Sequence, residues 1–381
     1  MIRTSFILFF VVSVIFSTIY TPQAILPTLK EVFRLGIAET NLLLSVMLFV
    51  LMVATPFYSA VSQKWEVKRI MGVSIFFLFL SVGMSAFATQ YFWLVVSRVL
   101  QGIFVPGITA MMLAYVQEIY PSEHRGLGMG IYMAATGFGA VMGRLLAGWM
   151  TYLYSWRVAF GVFALLLLVA LVTLVWGLPP VRKVLGKQRP APHAMLTYLA
   201  RPSILALALI PMVVFFAFMA VTTFVTYRLA SEHFGLDAGA LGSVFLVLLL
   251  AVVVSPVAGK LSDRYGRVYL LLSGVVSLLL GIVLTLSGTL FWVIAGIGLV
   301  TVGMFTVQSV APAYLGDLVP EDRATMAVLY QSFFYLGGAM GTILPSIVWR
   351  DGGYQAVGLL CVGLVTVGVL PLIVNLATKT S

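Results

Sequence analysis

Runs of roughly 20 apolar residues, closed by charged clusters or turn residues, recur along the whole chain. They fall near 5–29, 41–62, 70–89, 92–116, 126–150, 156–178, 203–229, 239–261, 268–288, 291–315, 325–349 and 353–376. A backbone in hydrocarbon must satisfy its own N–H and C=O groups, so runs of this length become transmembrane helices. Composition agrees, with 61% hydrophobic and only 9% charged residues, where a soluble domain carries about 25% charged. The first run, from Ser5 to about Leu29, is longer than a secretory-signal core and shows no clear small-residue cleavage site. It reads as a retained span. The expectation is an all-α membrane protein of twelve transmembrane helices.

Basic residues orient the chain. Fifteen of the 22 Lys and Arg residues fall in segments that share a side with the N-terminus, five fall opposite, and Arg98 and Arg144 fall inside spans. The positive-inside rule then puts both termini in the cytoplasm. The same bias accounts for the net charge of +10 without a nucleic-acid partner. The lone Cys361 supports no disulfide framework. The longest polar stretch, 179–202, is rich in Pro, Lys and Arg and reads as a cytoplasmic linker.

An internal repeat divides the chain around that linker. Pro56, Ser59, Ser62, Lys64 and Trp65 align with Pro256, Gly259, Ser262, Arg264 and Tyr265 at an offset of 200. At 199, Tyr115, Glu118 and Pro121 align with Tyr314, Asp317 and Pro320. At 198, Tyr132, Gly139, Met142 and Gly143 align with Tyr330, Gly337, Met340 and Gly341. The expected organisation is two pseudo-symmetric six-helix halves, 1–178 and 203–381, joined by the 179–202 linker, a known transporter plan.

The segment Gly259-Lys-Leu-Ser-Asp263-Arg264-Tyr-Gly266-Arg267 carries a specific spacing of glycine, acid and arginine. It resembles the loop signature of the major facilitator superfamily, and the likeness extends over essentially the whole chain. Here Gly259 and Gly266 would permit close approach and a tight turn. Asp263 would cap a helix N-terminus, and the arginines would pair with Asp317. The resemblance implies a gating role for all six. The first-half copy departs from the pattern, with Gln63 at the carboxylate position and Glu66 at the turn-glycine position. Lys64, Lys68 and Arg69 remain, and Lys64 with Glu118 is the candidate gating pair there.

Two further elements bear on the substrate. Arg98-Val-Leu-Gln101-Gly102 resembles the superfamily's R-x-x-Q-G element, and an arginine within a span faces protein or water. Gly139-Ala-Val-Met-Gly143-Arg144 resembles the motif of the drug-exporting branch (the drug/proton antiporters), with Arg144 in place of the proline. Thr136, Gly139, Gly143 and Ala147 form one small-residue stripe suited to helix packing. Arg144 lies about 100° away from it, on a face with Gly137, Ala140 and Gly148 that leaves room for a long side chain. Ligand contact and snorkelling to the outer surface both remain open for it.

All twelve acidic residues sit in loops or at span ends, and the three histidines also lie outside the spans. A proton relay normally uses a titratable acid or histidine at depth, so proton coupling is an option without a candidate residue. An intramembrane enzyme lacks its constellation too; no enzyme activity, cofactor or metal is expected. Tyr20, Gln23, Tyr132, Phe216, Gln308, Gln331 and Tyr335 join Arg144 and Arg98 as candidate substrate contacts, since aromatic and amide groups suit amphipathic ligands. The expected function is secondary active, alternating-access export of small amphipathic or anionic solutes from the inner membrane, by a monomer in the lipid bilayer. Import of an organic anion or a sugar, and lipid flipping on the same fold, are the alternatives.

Overall fold

The computed structural model describes residues 2–62, 64–121, 124–179, 197–319 and 322–380, and their regular structure is helical. Gln63 and most of the linker (180–196) lie outside the described residues. The helices are α1 (Ile2–Tyr20), α2 (Leu26–Phe33), α3 (Ile37–Val61), α4 (Val67–Ala86), α5 (Tyr91–Phe104), α6 (Pro106–Ile119), α7 (Arg125–Leu153) and α8 (Trp156–Gly177). There follow α9 (Pro202–Ala230), α10 (Ala238–Val244), α11 (Leu250–Tyr265), α12 (Arg267–Thr285), α13 (Leu290–Leu318), α14 (Arg323–Ile343) and α15 (Pro345–Thr380). Among the described residues, eleven helical stretches are long and apolar enough to cross a membrane. The 21-residue α14 stands at the position of a twelfth.

Proline explains where several spans are interrupted. Pro22 has no N–H to continue the α1 ladder, and the chain passes into a 3-10 turn at Gln23–Ile25 before α2 resumes. At this break both the N–H and the hydroxyl of Thr21 donate to the Ser17 carbonyl, at 3.1 and 2.8 Å. Pro106 begins α6 at the favoured first helical position, so α5 and α6 form one bent span from Tyr91 to Val116. The eleventh span differs from its expected limits. The helix breaks at Leu344–Pro345, and a second break falls at Gly353, whose φ of 57° is left-handed. Run lengths place the second break, since the twelfth run begins at 353, but not the first, which lies inside the eleventh run.

The chain forms two compact units, one of Met1–Gly186 with Leu229–Leu249, the other of Lys187–Arg228 with Leu250–Ser381. The segment 229–249, which the repeat would give to the second half, thus packs within the first unit. The repeat itself reappears as packing inside each unit. In the first, Gly139 and Gly143 of α7 lie directly on the backbone of Ser13 and Ser17 of α1. In the second, Gly337 and Gly341 of α14 lie on the backbone of Met212 and Phe216 of α9. Glycine lets the two backbones touch, which supplies van der Waals contact where lipid offers no hydrophobic drive between helices.

Candidate functional site

Arg144 projects from α7 into the interior of the first unit, with only 1% of its surface exposed. Its Nε donates to Gln23 Oε1 at 2.6 Å, and Nη1 donates to the Ala140 carbonyl at 2.6 Å. The guanidinium lies 4.2 Å from the Tyr20 ring centre and 5.1 Å from that of Phe245. The α1 break makes this cluster, because Tyr20 ends the helix and Gln23 opens the 3-10 turn, and both turn towards α7. Arg144 therefore does not snorkel. Gly148 does not make room for it either, since that position is filled by the Ala238 carbonyl and Gly242 of α10. A Cβ on Gly242 would stand 2.8 Å from the Arg144 carbonyl. The glycine crossing of α7 and α10 thereby brings Phe245 over the guanidinium. No acidic residue pairs with Arg144 among the described residues, and Nη2 has no hydrogen bond there.

Arg98 occupies a different place. It is 1% exposed on α5, and its Nη1 donates to the Thr18 carbonyl at 3.0 Å, with Met47 Sδ at 3.4 Å. The Phe160 ring centre is 5.3 Å away. Thr18 lies in the last turn of α1, whose carbonyls the Pro22 break leaves unpaired, so Arg98 acts as a cation at a helix C-terminus. Among the described residues its Nη2 is buried without a partner, as is Gln101 Oε1 one turn on. The two arginines share no ligand among their described contacts.

Other candidates divide among packing and polar roles. The Tyr132 hydroxyl donates to the Thr109 carbonyl at 3.3 Å in the first unit. Phe216 is buried at the α9–α14 seam, 4% exposed. Gln331 Nε2 and the Tyr335 hydroxyl meet at 3.4 Å, as their four-residue spacing suggests. Gln308 Oε1 is buried without a partner among the described residues, and so is the Tyr330 hydroxyl. An aromatic cluster accompanies these groups. Phe215 stacks on Phe334 at 3.8 Å, and Phe334 on Tyr330 at 5.6 Å. Sequence reading missed Phe245, Phe160 and Phe334, because aromatic residues in a span carry no mark that separates ring partners from lipid-facing ones.

The loop signature of the second unit is only partly used. Gly266 has φ 95°, the left-handed turn that its type suits, between α11 and α12. Arg267 Nε meets Asp317 Oδ2 at 2.7 Å and so ties the start of α12 to the end of α13 within one unit. The carboxylate also offsets the cost of a cation at a helix N-terminus. Asp263 caps nothing; α12 begins without a side-chain cap, and Asp263 makes no hydrogen bond or ion pair among the described residues. Arg264 lies over Tyr265 at 5.3 Å rather than against Asp317. Gly259 meets no neighbour where a Cβ would stand, so close helix approach does not explain it. In the first unit Lys64 and Glu118 form no ion pair. Lys68 Nζ instead donates to the Leu178 carbonyl at the end of α8, and Arg69 lies 4.6 Å over Trp65.

Known proteins share this organisation. A transporter of Bacillus subtilis (strain 168), YybF, of MFS type and uncharacterised, is 26% identical over 354 residues, 92% of this chain and 87% of its own. The inner membrane transport protein YnfM of Escherichia coli (strain K12) is 26% identical over 361 residues, covering 90% of this chain and 83% of its own. Among solved structures, the fold is similar to that of a bacterial homologue of the human lysosomal transporter Spinster. That likeness has a TM-score of 0.80 at 15% identity and covers 97% of this chain and 96% of the other. The human organic anion transporter MFSD10 gives 0.74 at 17% identity, over 97% and 99%. The family model for the Major Facilitator Superfamily matches residues 7–342, and again 207–380. This chain belongs to the Major Facilitator Superfamily and is an integral membrane transporter, not an enzyme.

Proposed function

We propose that the protein exports small amphipathic or anionic solutes across the inner membrane by secondary active, alternating-access transport, with both termini cytoplasmic. The observation that carries this reading is Arg144, a buried guanidinium with no acidic partner among the described residues and one nitrogen without a hydrogen bond. A buried cation is costly unless it is paired, and a carboxylate or phosphate is its natural partner. Tyr20 and Phe245 add ring faces beside the charge. That mixture suits an amphipathic anion. One solved structure of similar fold is that of an organic anion transporter.

Phe245 covers the guanidinium while α7 and α10 touch at Gly148 and Gly242. Parting these glycines would uncover Arg144, which makes the crossing the gate of this site. Arg267 and Asp317 would set the cost of rearranging the α11–α12 loop within the second unit. Export of an anion also runs down an inside-negative potential, worth about 2.3 kcal/mol per charge per 100 mV. No carboxylate at depth is then required for coupling.

Transport assays in inverted and right-side-out vesicles test direction and driving force together. Accumulation of an aromatic carboxylate in inverted vesicles, driven by an inside-positive potential, supports the reading. Uptake only into right-side-out vesicles points to import. Topology is tested at Gln188, in the linker. A cysteine there should resist labelling from outside intact cells, and efficient labelling overturns the orientation.

A further inference from the structure

A second binding surface lies on the first unit, away from Arg144. A cleft of about 500 Å³ runs between α3 and α4, with α5 as its floor. Its walls include Val53, Phe57, Val61, Trp65, Val73 and Ile103. They are open to the surface: Phe57 is 68% exposed, Val53 47% and Trp65 45%. Tyr58 and Ser74 are the only hydroxyl-bearing residues among the twelve that line it, so its walls present little polarity to an occupant. Along α3 the cleft extends from Val50 to Val61, about 16 Å at 1.5 Å per residue. That is close to one leaflet, half of a core of about 30 Å.

One end of the cleft is cationic. Trp65 forms its mouth, and the Arg69 guanidinium lies 4.6 Å over that ring. Lys64 is exposed beside it, and neither cation forms an ion pair among the described residues. The first turn of α4 opens at the same place without a side-chain cap, so its free N–H groups add to the attraction for an anion. Glu66 is the one acid in this loop and offsets part of that charge. Lys68 is committed to the Leu178 carbonyl.

We propose that this cleft binds an anionic glycerophospholipid of the surrounding bilayer, with one acyl chain along α3 and the phosphate between Lys64 and Arg69. A chain with an anionic head fits both properties at once, the apolar length and the cationic mouth. Basic residues at a membrane surface favour anionic lipid by about fivefold each, so with Glu66 opposing, the preference over a zwitterionic lipid should be of the order of tenfold. This site is independent of the transported solute and of transport direction.

The test is a titration of palmitoyl-oleoyl phosphatidylglycerol and phosphatidylcholine into the full-length protein in neutral detergent, read by native mass spectrometry. One phosphatidylglycerol should persist at about a tenth of the phosphatidylcholine concentration that gives equal occupancy. Lys64→Gln with Arg69→Gln should erase the preference, and Val73→Trp, which fills the cleft, should weaken both lipids. Unchanged melting temperatures show that the variants remain folded. As a separate readout, phosphatidylglycerol brominated on its acyl chains should quench tryptophan emission less in Trp65→Phe than in the parent protein. Equal affinity for the two lipids, or a preference that survives the double substitution, overturns the proposal. So does a preference lost with the charges while Val73→Trp binds normally, because the charge would then act without the cleft.

Discussion

The α1–α7 seam of the first unit and the α9–α14 seam of the second use glycines at the same spacing, yet they hold different chemistry. Around the first, Ser17 Oγ donates to the Gly139 carbonyl at 2.9 Å and Ser13 Oγ to the Ala135 carbonyl at 3.3 Å. Around the second, the corresponding helix offers Met212 and Phe216, and Phe215 stacks on Phe334 beside Gly338. The position 198 residues after Arg144 is Thr342, a buried hydroxyl that donates to its own helix at Ala339. Backbone approach is therefore what the two copies share, and side-chain chemistry is where they part. The first unit has taken the buried cations, and the second has kept the loop turn and its ion pair.

The shared part should be the harder to disturb. Gly143→Leu and Gly341→Leu each drive a side chain into facing backbone, at Ser17 and Phe216, and each should cost about 3 kcal/mol or more. Thermal unfolding in detergent, or loss of monodisperse protein, measures this. A tolerated substitution at one seam only would break the equivalence. Next in size is Arg144→Gln, which should cut transport of an anionic solute at least tenfold, and a neutral analogue of similar size only severalfold. Arg144→Lys should also weaken the anion where contact is bidentate. Equal losses for both solutes would give Arg144 a structural role, and the asymmetry between units would lose its functional meaning.

Smaller effects should separate the two loops. Gly266→Ala places a side chain at φ 95° and should lower stability by about 1–2 kcal/mol. Glu66→Gly, at a backbone φ of −66°, should relieve no strain. The smallest expected change in stability comes from Asp317→Asn, since its partly exposed pair with Arg267 is worth no more than about 1 kcal/mol. Its effect should appear in the transport rate, with solute affinity within severalfold. Glu118→Gln, the counterpart in the first unit, should leave the rate unchanged, because Glu118 has no ion pair to lose among the described residues. A slower Glu118→Gln transporter would restore symmetry between the loops.

Much of this was legible in the chain. Apolar run length gave the spans, the repeat offset gave matching glycine seams, and Gly266 and Arg267–Asp317 follow from the loop spacing. Tyr20 and Gln23 were readable as polar groups at depth, but not as partners of Arg144. A helical period assigns a residue to a face and says nothing about which helix lies opposite. Phe245 could not be found for the same reason, since its place over Arg144 depends on α10 crossing α7 at two glycines. Asp263 shows the reverse. Its motif suggests a cap, and no such hydrogen bond forms among the described residues.

The break in α1 bears on how the protein is made. The Thr18 carbonyl finds its donor in Arg98, 80 residues further along the chain. At about 5–20 residues per second of synthesis, that donor leaves the ribosome about 4–16 s later. Gln23 waits longer still, because Arg144 follows it by 121 residues. Through that interval the first span is in or near lipid with an interrupted ladder and an amide without its native partner, a costly condition in hydrocarbon. Early insertion is therefore provisional, and the nascent first helix should stay close to water or to the insertion machinery until α5 arrives. Ribosome-bound chains halted before Arg98 should expose residues near Thr18 to aqueous labelling, and chains extended past α5 should protect them.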